Sequence, residues 1–214
     1  MRYLVYGAGA VGGVIGAHLH LAGTHVTLVA RRTHLAAIRR DGLVIDRSEG
    51  REAVPVAAVA GAAETEWDSD TVVLLCVKGH QTAAALDDLA AHAPSETVVV
   101  SAQNGIDNEP AILRRFEATY GICVMLPATH LEPGVVVQKC HPTPGILDLG
   151  RVPDGTDATA EAIAADLRDA GFESVPRPDI MAWKRQAADE HRQRRRRGMH
   201  ARRRGHRARA ACPS

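Results

Sequence analysis

Three glycines within six residues carry the clearest chemical signal in this chain. In Gly7-Ala8-Gly9-Ala10-Val11-Gly12-Gly13 they fall at the spacing G-x-G-x-x-G. The first glycine of such a turn permits the tight bend, the second lets a pyrophosphate approach the backbone, and the third lets a helix pack closely on its strand. The backbone N–H groups of Ala8, Ala10 and Val11 would add hydrogen bonds and the positive end of a helix dipole. A Gly-rich turn that merely packs closely would have the same letters; the flanking elements decide between the two. Three further groups could act with this turn. Arg31 and Arg32 follow an apolar run, Lys78 ends another, and Gln103-Asn104-Gly105 ends a third.

The elements that must position them are legible. Arg2 to Tyr6 reads as a first strand. Val11, Ile15, Leu19 and Ala22 then recur at helical spacing until Gly23, so the turn lies between a strand and a helix. His25 to Ala30 is a second strand. An NAD site places Asp or Glu at its end for the ribose 2′-OH, whereas an NADP site needs a cation for the 2′-phosphate. Two guanidinium groups stand there instead of a carboxylate, which points to NADP. A solvated Arg pair would leave the missing carboxylate unexplained.

Thr33 is the expected N-cap of a helix over His34 to Arg40, ended by Asp41-Gly42. Leu43 to Asp46 and Ala53 to Val59 are short strand candidates. Thr71 to Val77 is continuously apolar, as a central strand covered on both faces should be. Lys78 closes it at the edge where ligands lie in open α/β sheets; the alternative is a solvated lysine opening the loop Gly79-His80. Gln81 to His92 is an amphipathic helix and Thr97 to Ser101 another buried strand. Asn104 follows, with an amide that can both donate to and accept from a substrate. Ile112 to Phe116 belongs to a further helix. Ile122 to Met125 and Val135 to Gln138 look like strands of an extension, and Gly145 to Leu149 like one more. Asp157 to Ala170 is a helix closed by Gly171.

Composition bounds the rest. The 214 residues, 45% of them hydrophobic, are those of a globular protein with one large domain or one and a half. No apolar run approaches the length of a membrane span, and the N-terminus lacks a signal-peptide pattern. Cys76, Cys123, Cys140 and Cys212 form no C-x-x-C pair, so a reducing cytoplasm is expected. His130 and His141 have no carboxylate or cysteine at ligand spacing, and ordinary loop histidines are expected there.

The net charge of +1 conceals a split. Residues 1–184 carry 15 basic and 23 acidic side chains, whereas residues 185–214 carry 11 and 2. Body and tail therefore need separate readings.

In order and approximate spacing, Gly7 to Gly13, Val29-Ala30-Arg31, Val77-Lys78, Gln103-Asn104-Gly105, Glu132-Pro133-Gly134 and Asp179 to Trp183 resemble the ketopantoate reductase (2-dehydropantoate 2-reductase) family. The resemblance covers nearly all of residues 1–184. It implies an α/β, Rossmann-type, doubly wound and mostly parallel sheet. It also implies NADPH-dependent reduction of the 2-keto acid 2-dehydropantoate to the 2-hydroxy acid pantoate, a step toward pantothenate. Gly7, Gly9 and Gly12 would then bind pyrophosphate, Arg31 the 2′-phosphate, Lys78 the cofactor, and Asn104 both the nicotinamide side and the substrate.

On that reading residues 1–180 form the NADP-binding domain, and residues 181–214 hold a truncated start of a helical substrate domain. In the family a long helix carries, beyond this tryptophan, a lysine that protonates the new alkoxide and asparagines that hold substrate. From Arg185 onward no apolar period supports a buried helix face. Shifting the reading frame after Lys184 permits Tyr-Ala-Lys-Leu-Leu-Met-Asn-Ile-Gly-Asn-Ala-Val, which restores that helix. The expectation is thus an aberrant, disordered basic tail from 185, with the catalytic lysine lost and Lys184 not its match. Two alternatives remain: a catalytically silent NADP-binding module or pseudogene product, and a genuine Arg-rich tail that neutralises nucleic-acid phosphates. The tail lacks the interleaved aromatics of a stacking platform, so a nucleic-acid partner is not expected. A homo-oligomer is left open.

Overall fold

A computed structural model describes residues 1–189 of the chain. The strands are β1 (Arg2–Tyr6), β2 (His25–Val29), β3 (Leu43–Arg47), β4 (Gly50–Val54), β5 (Ala57–Val59), β6 (Thr71–Leu75), β7 (Val98–Ser101), β8 (Thr119–Met125), β9 (Ala128–Thr129), β10 (Val135–Gln138) and β11 (Ile146–Arg151). The helices are α1 (Ala10–Leu21), α2 (Arg32–Asp41), α3 (Thr82–His92), α4 (Glu109–Leu113) and α5 (Ala158–Asp169). Residues 180–189 are also helical and are called α6.

Seven strands form the main sheet in the order β11-β8-β7-β6-β1-β2-β5. All pairs are parallel except β11 with β8. The order from β5 to β8 reverses direction at β1, the strand order of a doubly wound dinucleotide fold. Alternation along the strands explains the two covered faces. Tyr3 and Val5 of β1, with Val72 and Leu74 of β6, face one core; Leu4, Tyr6, Val73 and Leu75 face the other, against Leu86 and Leu89 of α3.

The second sheet, β4-β3-β10-β9, lies across α1. Sandwiched between two sheets, α1 has no solvent stripe, and its glycines record both contacts. A Cβ at Gly16 would come within 2.6 Å of Leu28 of the main sheet, and one at Gly13 within 2.6 Å of Val136 of the second.

The edges of the main sheet differ. β5 is only three residues long, follows Pro55, and has its Ala58 carbonyl bonded by Nε of Arg39 at 3.0 Å. Beside β11, residues 173–177 run as an irregular border, with Leu147 N–H donating to Glu173 O at 2.8 Å and Arg177 N–H to Leu149 O at 2.7 Å.

Several elements depart from expectation. Ala53 to Val59 is not one strand: Pro55 splits it, and the halves join different sheets, as a residue without an N–H requires. α2 begins at Arg32 with Arg31 as its N-cap rather than Thr33, because its first helical bond runs from Leu35 N–H back to Arg31 O at 3.3 Å; Arg32 itself has a positive φ of 52°. α4 starts at Glu109, with Pro110 in its first turn, and ends before Phe116. β8 and β10 are not strands of one extension; β8 lies in the main sheet, and β10 pairs with β3 in parallel. Finally, α6 continues past Arg185 to residue 189, and Ala187 packs with Ile180, Met181, Cys123 and Val152. The basic stretch expected beyond that point lies outside the described residues.

Candidate functional site

The carboxyl ends of β2, β1, β6 and β7 are neighbours in the main sheet. Arg31, the Gly7–Gly12 turn, Lys78 and Asn104 therefore follow one another along about 14 Å of a single edge. The sheet brings together every site residue named from the sequence.

The three glycines of the turn meet three different environments. Gly7 has φ +110°, and a Cβ there would lie 2.9 Å from the Val77 nitrogen, so the bend needs glycine. A Cβ at Gly12 would lie 2.2 Å from the Gly7 carbonyl and 2.8 Å from Cys76 Cβ; helix and strand are in direct contact. At Gly9 a Cβ would meet nothing within 4 Å. Its side faces open space at the start of α1, where the first helical bond runs from Gly13 N–H to Gly9 O at 2.7 Å. The N–H groups before Gly13 thus have no acceptor inside the helix. Such a site accepts an anion.

Arg31 is exposed at the end of β2. Its guanidinium interacts with the Tyr6 hydroxyl, which donates to Asp88 Oδ2 at 2.6 Å. Burial, followed by that carboxylate, pushes the Tyr6 pKa up to about 12, so the phenol stays a neutral donor. Asp88 also accepts from the Ala62 N–H at 2.9 Å. These contacts, none of them evident from the sequence, brace the floor beneath Arg31.

Lys78 is exposed just beyond β6, and Asn104 just beyond β7. The loops holding them are tied by a residue whose structural part the sequence did not disclose. Gln103 Nε2 donates to Val77 O at 2.7 Å and lies 2.9 Å from Thr82 Oγ1, which donates to Asn108 Oδ1 at 3.0 Å. The Gln-Asn-Gly signal marked the place without revealing that its first amide is a tether and only its second is presented.

Lys184 is 4% exposed. Its Nζ donates to Gln103 O at 2.8 Å and Ile122 O at 2.7 Å, and lies 2.9 Å from Oε1 of Glu109, itself fully buried. The sequence marks this lysine only as not the match of the family's catalytic lysine, and assigns it no structural part. The His130 ring packs against that of His34, tilted by 48° with ring centroids 4.2 Å apart, and His141 Nδ1 lies 3.0 Å from Glu49. Away from the edge, a cavity of about 430 Å³ beside β3 and β4 is lined by His18, Arg47, Glu49, Gln138 and His141. Its charges pair locally, Arg47 with Glu52 and His141 with Glu49.

A doubly wound sheet with this turn at its topological switch point defines a Rossmann-type domain. The chain belongs to the family described as Ketopantoate reductase PanE/ApbA, whose profile matches residues 3–154. It is 32% identical over 184 residues to a 2-dehydropantoate 2-reductase of Pyrococcus horikoshii, a match covering 86% of this chain and 58% of that one. A crystal structure of 2-dehydropantoate 2-reductase from Methylococcus capsulatus is 28% identical, with a TM-score of 0.76 over 86% of this chain and 59% of the other. The ternary structure of D-mandelate dehydrogenase with NADH and anilino(oxo)acetate is also 28% identical, with a TM-score of 0.72 over 82% of this chain and 56% of that one. The chain thus spans less than two thirds of the length of these relatives.

Proposed function

We propose that this chain binds NADPH along the carboxyl edge of its main sheet, in the service of reducing 2-dehydropantoate to pantoate. The observation that carries the reading is the open space at Gly9, flanked by unpaired helix N–H groups, with Arg31 at the end of the neighbouring strand. A cradle that a Cβ would fill, lined by donors, fits a pyrophosphate. The N–H groups of Gly9, Ala10, Val11 and Gly12 would hold it, whereas those of Gly7 and Ala8, contrary to the expectation for Ala8, already donate to Val29 O at 3.2 and 3.0 Å and so shape the bend. Arg31 would meet the 2′-phosphate by charge-assisted hydrogen bonds. Lys78 would approach the cofactor from β6, and Asn104 would orient the nicotinamide side and the substrate carbonyl.

When bound, the nicotinamide supplies the hydride. The chain must supply position and, for turnover, a proton at the keto oxygen. Lys184 does not supply it: both carbonyl bonds and the Glu109 contact hold its ammonium in the core. The remaining lysines are Lys78, at the cofactor position, and Lys139, beyond β10. This supports a chain that binds cofactor and turns over slowly. A silent NADP-binding module is the second reading, favoured by the same engagement of Lys184.

Two measurements separate the readings. Fluorescence titration of NADPH and NADH should give tighter NADPH binding. NADPH consumption with 2-dehydropantoate should run about 10²–10⁴-fold below the Pyrococcus horikoshii relative, the usual effect of a missing general acid. Equal affinity for the two dinucleotides would sink the NADP assignment. A rate equal to the relative's would sink the impairment, and no detectable rate at saturating NADPH would favour the silent module.

A further inference from the structure

Ala8, between the first two glycines of the turn, directs its carbonyl toward α2, where Nε2 of His34 lies 2.7 Å away. On the other side of the same ring, Nδ1 lies 2.8 Å from the backbone nitrogen of Gly134. An N–H can only donate and a carbonyl can only accept. The ring must therefore carry a lone pair on Nδ1 and its proton on Nε2. Only the neutral Nε2–H tautomer satisfies both partners.

The surroundings enforce that state. Burial, and then the neighbouring His130, lower the His34 pKa against the gain from the Ala8 bond. His130 is itself fixed by its Nδ1 donating to Val135 O at 2.9 Å. The guanidinium groups of Arg31 and Arg32 open the same helix. The Gly134 side of the contact is equally constrained: this residue has φ +79°, and a Cβ would lie 2.8 Å from Ala37 Cβ. Its carbonyl accepts from Val44 N–H at 2.8 Å, which ties the turn into the second sheet.

A peptide unit is planar and trans, so its C=O and N–H point in opposite directions. Holding the Ala8 oxygen on His34 aims the Gly9 N–H away from α2. We propose that His34 is a positioning residue for dinucleotide binding: through the Ala8–Gly9 peptide it fixes the donor that faces a phosphate, and it couples that donor to the Glu132–Gly134 turn. The inference rests on the reading that this turn holds a pyrophosphate. Protonation of the ring would replace the Nδ1 lone pair with a second N–H facing the Gly134 N–H, and the link would open.

The test combines imidazole ¹⁵N NMR with NADPH titrations from pH 5 to 8 on the wild type, His34→Gln and His34→Asn. Asn places an oxygen near the Nδ1 position, so it keeps the Gly134 acceptor and loses the donor to Ala8. Gln places an amide N–H near Nε2 and keeps that donor. The expected outcome is an Nε2–H tautomer at neutral pH. His34→Asn should bind NADPH about 5- to 10-fold more weakly, the effect of one hydrogen bond, with Gln restoring most of the affinity. Taking each variant relative to the wild type at the same pH cancels titration of the ligand. The His34→Asn deficit should persist as the wild-type ring protonates, because the imidazolium keeps its Nε2–H on the Ala8 carbonyl and opens only the Gly134 link, as His34→Gln does. An Nδ1–H tautomer or an imidazolium at pH 7 overturns the inference, as does affinity indifferent to residue 34. Absence of NADPH binding in the wild type overturns the proposed function and this inference together.

Discussion

Lys184 and Glu109 form an ion pair at 2.9 Å in which neither side chain is more than 3% exposed. Glu109 opens α4 and Lys184 sits on α6. Because the same ammonium bonds the Gln103 carbonyl, the pair fixes the backbone just before Asn104. Lys184→Met should cost about 3–5 kcal/mol, since it strands a buried carboxylate. Adding Glu109→Leu should recover most of that loss, because an apolar pair of similar volume is often neutral. Urea denaturation of the two single variants and the double variant measures the coupling; additive losses would show that the pair does not act as a unit.

Arg31→Ala should weaken NADPH by about 1.5–3 kcal/mol, one charge-assisted contact, and leave NADH nearly unchanged. Parallel titrations of both dinucleotides check it. Equal losses for the two would assign Arg31 to the fold through Tyr6 and not to the 2′-phosphate.

Gly9→Val and Gly12→Ala should separate binding from folding. Gly9→Val meets open space, so circular dichroism and Tm should hold while dinucleotide binding disappears. Gly12→Ala must displace the Gly7 carbonyl, 2.2 Å from the new Cβ, and should destabilise by about 1–3 kcal/mol as overpacking does. Gly9→Val that binds NADPH at wild-type strength would remove the turn from the site.

Stability should fall as pH drops below about 6.5, the unfolded histidine value. Burial lowers the pKa of both His18 and His34 in the folded chain. Below 6.5 the unfolded state then binds more protons than the folded one, so stability rises with pH. The contribution is complete above 6.5 and is lost as pH falls through the folded values. Tm measured between pH 5 and 8 should show this slope, and His34→Gln should reduce it. A Tm flat across that window would contradict the burial of both rings.

The sheet and its ligand edge were legible because their signals are local. Glycine spacing and apolar runs ending in Arg31, Lys78 and Asn104 all lie within a few residues; Asp157, read as the first residue of a helix, is its N-cap, bonding the Ala160 N–H at 2.9 Å. What the sequence hid is long-range or conformational. Lys184 meets Gln103 across 81 positions, and His34 meets Gly134 across 100; no periodicity encodes such partners. The start of α2 escaped because Arg32 takes a backbone conformation that few side chains adopt. Pro55 was visible and is why Ala53 to Val59 is two strands, a break that apolar content alone concealed.

The two borders of the main sheet bear on how copies of this chain meet. A sheet grows by adding a strand to a row of unpaired amides and carbonyls. At β5 that row is three residues long, with one carbonyl already taken by Arg39, and beside β11 the backbone bonds are spent on residues 173–177. Neither side offers a template for strand addition. Self-association at the borders of the main sheet must therefore proceed through side-chain surfaces, which are selective, rather than through backbone recruitment, which would accept any extended chain and lead to aggregates.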